Sequence, residues 1–122
     1  MCPFNCGAIE SNIDKFIAQD YDGAIADCNK AIEIDPQNPA AYANRAMSEY
    51  EKKDYDAAIA DDNRAIELNP QDASNYAARA NAEHAKGDDV SAIADWKQEI
   101  ALDPSHASTT QILIDQVQAT LN

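Results

Sequence analysis

The residues that could do chemistry in this chain are three cysteines, two histidines and a regular set of arginines and aspartates. Cys2, Cys6 and Cys28 are odd in number, form no Cys-x-x-Cys pair and have no histidine spaced to complete a zinc set. A disulfide framework is therefore not expected, and Cys2 and Cys6 read as ordinary thiols. His84 and His106 are not spaced as a metal pair, and no serine, histidine and acid assemble into a nucleophilic set. The pattern points away from catalysis, away from a metal and away from any cofactor. What remains is pairing chemistry. Arg45 and Arg79 lie 34 residues apart, and so do Asp27, Asp61 and Asp95. Arg45 is placed to reach Asp27 or Asp61, and Arg79 to reach Asp61 or Asp95, through bidentate contacts. Such pairs, when partly exposed, fix orientation more than they add stability.

The elements that must hold these groups are written in the same spacing. The aspartates close the motif Ala-Ile-Ala-Asp at residues 24–27, 58–61 and 92–95, and each copy runs on to a proline, Pro36, Pro70 or Pro104. A period of 34 residues is long enough for two antiparallel helices and two turns. Hairpins of this kind bury their apolar sides only by stacking on one another. The expected fold is all-α, a right-handed α-solenoid of three antiparallel helix hairpins with a C-terminal solvating helix, seven helices in total. First helices of the hairpins are expected near 8–18, 39–52 and 73–86, and second helices near 21–34, 55–68 and 89–102. Asp20, Asp54 and Asp88 precede the second helices as N-caps. Asn38 caps the middle hairpin with Pro39 in its first turn, where a missing N–H costs nothing. The dipeptides Asp35-Pro36, Asn69-Pro70 and Asp103-Pro104 end the second helices. Ser105 is the expected cap of a last helix, about 106–121, with Ile112, Leu113, Val117 and Leu121 along its inner side.

Composition narrows the partner. The chain of 122 residues reads as a single domain, 1–122, with repeats at about 5–38, 39–72 and 73–106. Nine Lys and Arg stand against 22 Asp and Glu, a net charge of −13 that repels nucleic acid and anionic lipid surfaces. Neither nucleic acid nor direct membrane contact is expected. The start shows no basic region followed by an apolar run, so the expected address is cytoplasmic. Loss of a native leader would instead make Cys2 a lipid-bearing first residue.

The segment Tyr42-Ala43-Asn44-Arg45-Ala46, with Lys53-Asp54-Tyr55-Asp56-Ala57-Ala58-Ile59 and Ala65-Ile66-Glu67-Leu68-Asn69-Pro70, resembles a tetratricopeptide repeat throughout its length. The resemblance covers residues 5–106 and the cap. It implies an early aromatic in each first helix (Tyr42, Tyr76) and small residues where paired helices touch (Ala46 with Ala58, Ala80 with Ala92). It also implies a concave groove lined by the first helices. The side chains expected there are Ala40, Ala43, Asn44, Met47, Tyr50 and Glu51 from the second repeat, and Ser74, Ala77, Ala78, Asn81 and His84 from the third. Trp96 reads as packing beneath the cap and Cys28 as a small core residue.

Three departures matter. The first repeat fits only from Asp20 onward; a one-residue shortening of its turn at Gln19-Asp20 puts Ile9, Ile13 and Phe16 at core places, whereas the unshifted frame puts these three and Ile17 on the groove wall. Glu99 replaces the small residue found at Ala31 and Ala65, so the cap is expected to dock loosely. Chaperone-adaptor members clamp an acidic tail with cations and Asn on successive first helices. Of that set only Asn44 carries over, because Ser74 and Ala78 stand where Lys and Arg belong.

The expected function is a non-catalytic interaction module that binds a peptide or helix of a protein partner in the concave groove, the partner being neutral or basic. The second expectation is a self-assembly module, a homo-oligomer formed through the first helix or the cap.

Overall fold

The computed structural model describes residues 20–121. Its α-helices are α1 (Tyr21–Ile34), α2 (Pro39–Glu51), α3 (Tyr55–Leu68), α4 (Ala73–Lys86), α5 (Asp89–Leu102) and α6 (Ala107–Leu121), with a 3₁₀ turn at Pro104–His106 before the last. The helix expected near 8–18, and both frames considered for the first repeat, lie outside the described residues. Each helix packs on its neighbours in sequence, and α2 also touches α4, so the first helices of successive hairpins share one side of the stack. This is an α-solenoid. No helix among the described residues is long and apolar enough to cross a membrane.

Local chemistry sets the boundaries. Asp20, Asp54 and Asp88 accept from the backbone N–H of Gly23, Ala57 and Ser91 at 3.0, 3.4 and 3.2 Å, satisfying free donors at the starts of α1, α3 and α5. Asn38 and Asp72, one period apart, cap α2 and α4 through Ala40 N and Ser74 N at 3.1 and 3.0 Å. Tyr42 and Tyr76 explain the early aromatic. Their hydroxyls donate to the carbonyls of Pro36 and Pro70 at 3.0 and 3.2 Å, tying each helix to the turn that precedes it. Ser105 is not the cap of the last segment. Asp103 takes that role, accepting from Ser105 N at 3.1 Å, because the chain enters a 3₁₀ turn before it becomes α-helical.

The core is built from alanine. Ala46, Ala58 and Ala82 meet where α2, α3 and α4 cross, with Tyr50, Tyr55 and Ile59 around them. Methyl-sized contacts let helix backbones approach closely, and the remaining volume is filled by the larger neighbours. Cys28 is fully buried beside Ala31 and Ala41, as a small core residue. Its sulfur is also disulfide-bonded; the expectation for Cys2 and Cys6 lies outside the described residues.

The cap docks through two of the expected residues, Val117 and Leu113, and through Ile114, which was not expected. Ile114 is fully buried and Val117 nearly so, packed with Trp96, Ile93, Ala80 and Ala92. Ile112 is 58% exposed, since two residues of α-helix turn a side chain by roughly 200° from Ile114. Leu121, at the end of the helix, is 48% exposed. Glu99 does not loosen this contact, because its side chain is only half-buried and accepts from Thr110 Oγ1 of α6 at 3.3 Å.

Candidate functional site

Two repeated charge clusters position the first helices. Arg45 of α2 grips Asp61 of α3 with two hydrogen bonds of 2.7 Å and donates at 2.9 Å to Asn29 of α1. One period later, Arg79 of α4 does the same to Asp95 of α5 and Asn63 of α3, with the same distances. Each arginine therefore chooses the aspartate of its own hairpin and uses its last nitrogen to hold the preceding hairpin. The guanidinium groups also lie over the rings of Tyr42 and Tyr76, at 5.7 and 5.6 Å. Glu49 and Glu83 crowd the same arginines at 4.0 and 3.9 Å. Burial first, then the neighbouring Asp61 or Asp95, push these two carboxyls up to about 9 and about 8.

With α2 and α4 held this way, a cavity of about 600 Å³ opens on their shared side. Ala40, Ala43, Asn44, Met47, Tyr50 and Glu51 of α2 form one wall and Ser74, Ala77, Ala78 and Asn81 of α4 the other. Tyr50 is set edge-on to Tyr55, with centroids 5.5 Å apart. Met47 is 40% exposed. His84 stands apart from this lining. Its Nδ1 lies 2.6 Å from Asp89 Oδ1 and its ring 5.7 Å from that of Trp96, so a polar partner draws it toward the α4–α5 turn.

Several lining residues were not foreseen. Asp62 of α3 lies in the depth of the trough, and Glu99, Asp103 and His106 extend it toward the cap. The signal for Asp62 was a carboxylate at a repeat position occupied by Cys28 and Trp96 elsewhere; the wall near the cap had none, since it depends on how the last helices close. Among the described residues the lining carries the acids Glu51, Asp62, Asp72, Glu99 and Asp103 and contains no Lys or Arg. Two of its polar atoms are buried without a hydrogen-bond partner: Asn44 Nδ2 and Asp62 Oδ1. Burial, together with Asp61 and Asp95 and against the pull of Arg79, raises the Asp62 carboxyl to about 8.

The sequence matches the family model described as TPR repeat over residues 15–48 and that described as tetratricopeptide repeat over residues 39–72. Residues 15–72 therefore carry tetratricopeptide repeats. Among solved structures, this tetratricopeptide repeat domain is similar to the first TPR of Spaghetti (RPAP3) bound to the HSP90 peptide SRMEEVD. The identity is 27% over 92% of this chain and 88% of that one, with a TM-score of 0.86. The first TPR domain of the human RPAP3 protein is 29% identical over 91% of this chain and 89% of that one, with a TM-score of 0.84. A complex of the yeast Sti1 TPR2B domain with a pHsp70 peptide superimposes with a TM-score of 0.84 at 24% identity, over 90% of this chain and 92% of that one. No curated protein sequence matches the chain.

Proposed function

We propose that the chain, as one domain over 1–122, is a non-catalytic interaction module that holds a peptide or helix of a protein partner in the trough between α2 and α4. The observation that carries this reading is the trough itself: a floor of alanines that leaves room for a ligand backbone, with the buried Asn44 Nδ2 turned toward no protein acceptor. An unsatisfied buried donor is costly, and a ligand carbonyl would relieve it. The sites expected to touch the ligand are Ala40, Ala43, Asn44, Met47, Tyr50, Ser74, Ala77 and Asn81. Similar domains in complex with an HSP90 peptide and with pHsp70 support the mode of binding.

They do not support the same ligand. SRMEEVD, the HSP90 peptide, is acidic. Here the lining has, among the described residues, five acidic side chains and no Lys or Arg in a chain of −13, so a neutral or basic segment is favoured and association should weaken as salt screens the field. A pull-down with intact protein and with a Met47→Glu, Tyr50→Ala double variant tests the site. Loss of the captured proteins is expected; an unchanged set would refute the trough as the binding surface. A second reading, self-association through the cap, is favoured by the exposed Ile112 of α6. Light scattering across protein concentration decides it, a constant monomer mass eliminating self-association.

The cytoplasmic address belongs to the same reading and is tested by fractionating cells that carry the full-length protein, recovery in the soluble cytosolic fraction being expected and recovery in a secreted or membrane fraction refuting it.

A further inference from the structure

Positions 28, 62 and 96 are one place in three successive repeats, all buried, at 0%, 1% and 2% exposure. Trp96 fills that place with a ring packed against the cap. Asp62 occupies it with a shorter, polar side chain and is one of the residues lining the trough between α2 and α4. The carboxylate it presents there is unlike its neighbours. Asp61 and Asp95 are each closed by two arginine hydrogen bonds, and the third contact of each arginine goes to Asn29 or Asn63. Among the described residues no cation hydrogen-bonds Asp62, whose Oδ1 accepts nothing; Arg79, committed to Asp95 and Asn63, acts on it only through its field.

We infer that Asp62 is the specificity-determining acceptor of the trough, receiving one basic side chain, arginine or lysine, from the segment bound there. The inference rests on the trough being the binding surface and adds what that surface selects. A buried carboxyl without a hydrogen-bond partner is costly whether it stays ionised or takes up a proton, and an incoming cation with N–H donors that displaces the proton to solvent removes that cost. Length and shape agree. Ala43, Ala77 and Ala78 leave an opening through which a long aliphatic stem can pass, its head reaching the depth of the trough while the ligand backbone stays at the rim. Glu51, Asp72, Glu99 and Asp103 add a field of the same sign along the way.

The test uses a random octapeptide library, selected in parallel on the intact protein, on Asp62→Asn and on the Met47→Glu, Tyr50→Ala variant. Peptides held by the intact protein should share one fixed Arg or Lys. Replacing that residue by citrulline or acetyl-lysine, which keep length but not charge, should weaken binding to the intact protein roughly tenfold or more. It should leave affinity for Asp62→Asn unchanged. Selected peptides with no fixed basic position, or a neutralisation cost equal in the two proteins, overturn the role of Asp62. If the double variant still loses those peptides, the trough stands as the binding surface. Peptides held equally by the double variant, or none held by the intact protein, overturn the trough and the selectivity together. Asp62→Ser serves the same comparison should the amide variant not fold.

Discussion

Removing the Asp62 charge should stabilise the free domain, and by an amount that depends on pH. In the folded chain this carboxyl is raised from 3.8 to about 8 by burial and by Asp61 and Asp95. The unfolded chain binds no proton there at pH 7 while the folded chain does, so folding must take one up. Each pH unit between the two values costs about 1.4 kcal/mol. From pH 4 to pH 7 the penalty thus grows to about 4 kcal/mol at most, and solvent entering the adjoining trough trims it toward about 2 kcal/mol. The sign follows from the raised folded value: the penalty is absent below 3.8, grows as pH rises and levels off near 8. Asp62→Asn keeps the shape and removes the titration, although its amide brings donors that also need partners. The difference in unfolding free energy between variant and parent, measured by urea titration, should therefore rise in the variant's favour by about 2–4 kcal/mol between pH 4 and pH 7. At neutral pH a gain of about 2 kcal/mol would lift the melting temperature by roughly 10 °C for a domain of this size. A pH-independent difference would refute the assignment of a buried, unpartnered carboxyl. The cost is what a site kept for a ligand would show, since stability and function often pull in opposite directions at such positions.

Other outcomes follow from the same contacts. Arg79→Met should destabilise the domain by about 2–4 kcal/mol in chemical denaturation, because it leaves Asp95 buried without its cation; Arg79→Lys should recover only part, lacking the two-pronged grip. Ile114→Ala should cost about 3 kcal/mol and loosen the cap, read as a red shift in the emission of Trp96, the chain's one tryptophan, and as faster hydrogen exchange in α6. Lys53 and Gly87 occupy the same turn one period apart, both with positive φ, 68° and 97°. Lys53→Gly should therefore stabilise by about 1 kcal/mol, measured as a shift of the urea midpoint, and Gly87→Ala should cost about as much, from backbone strain alone since open space surrounds the added methyl.

The number and bounds of the described hairpins were legible in one dimension because their causes are local. A carboxylate three residues ahead of a free N–H, a proline that cannot continue a helix and a 34-residue recurrence of small side chains each act within a turn or a period. The same regularity placed Asn44, Met47 and Tyr50 of α2 and Ser74, Ala77 and Asn81 of α4 on one side of the stack, since residues three and four apart share a helix face. Other features depend on distances across helices, which no periodicity encodes. Arg45 had two aspartates at suitable spacing, and only the offset between α2 and α3 selects Asp61 over Asp27. His84 has the right spacing for the trough but finds Asp89 nearer. Ile114, and not Ile112, anchors the cap because the 3₁₀ turn at Pro104–His106 sets the rotation with which α6 arrives. Asp62 joins the trough for the same kind of reason. A short acid stands where another repeat holds a tryptophan, and which surface it lines is decided by the packing of α2, α3 and α4 together.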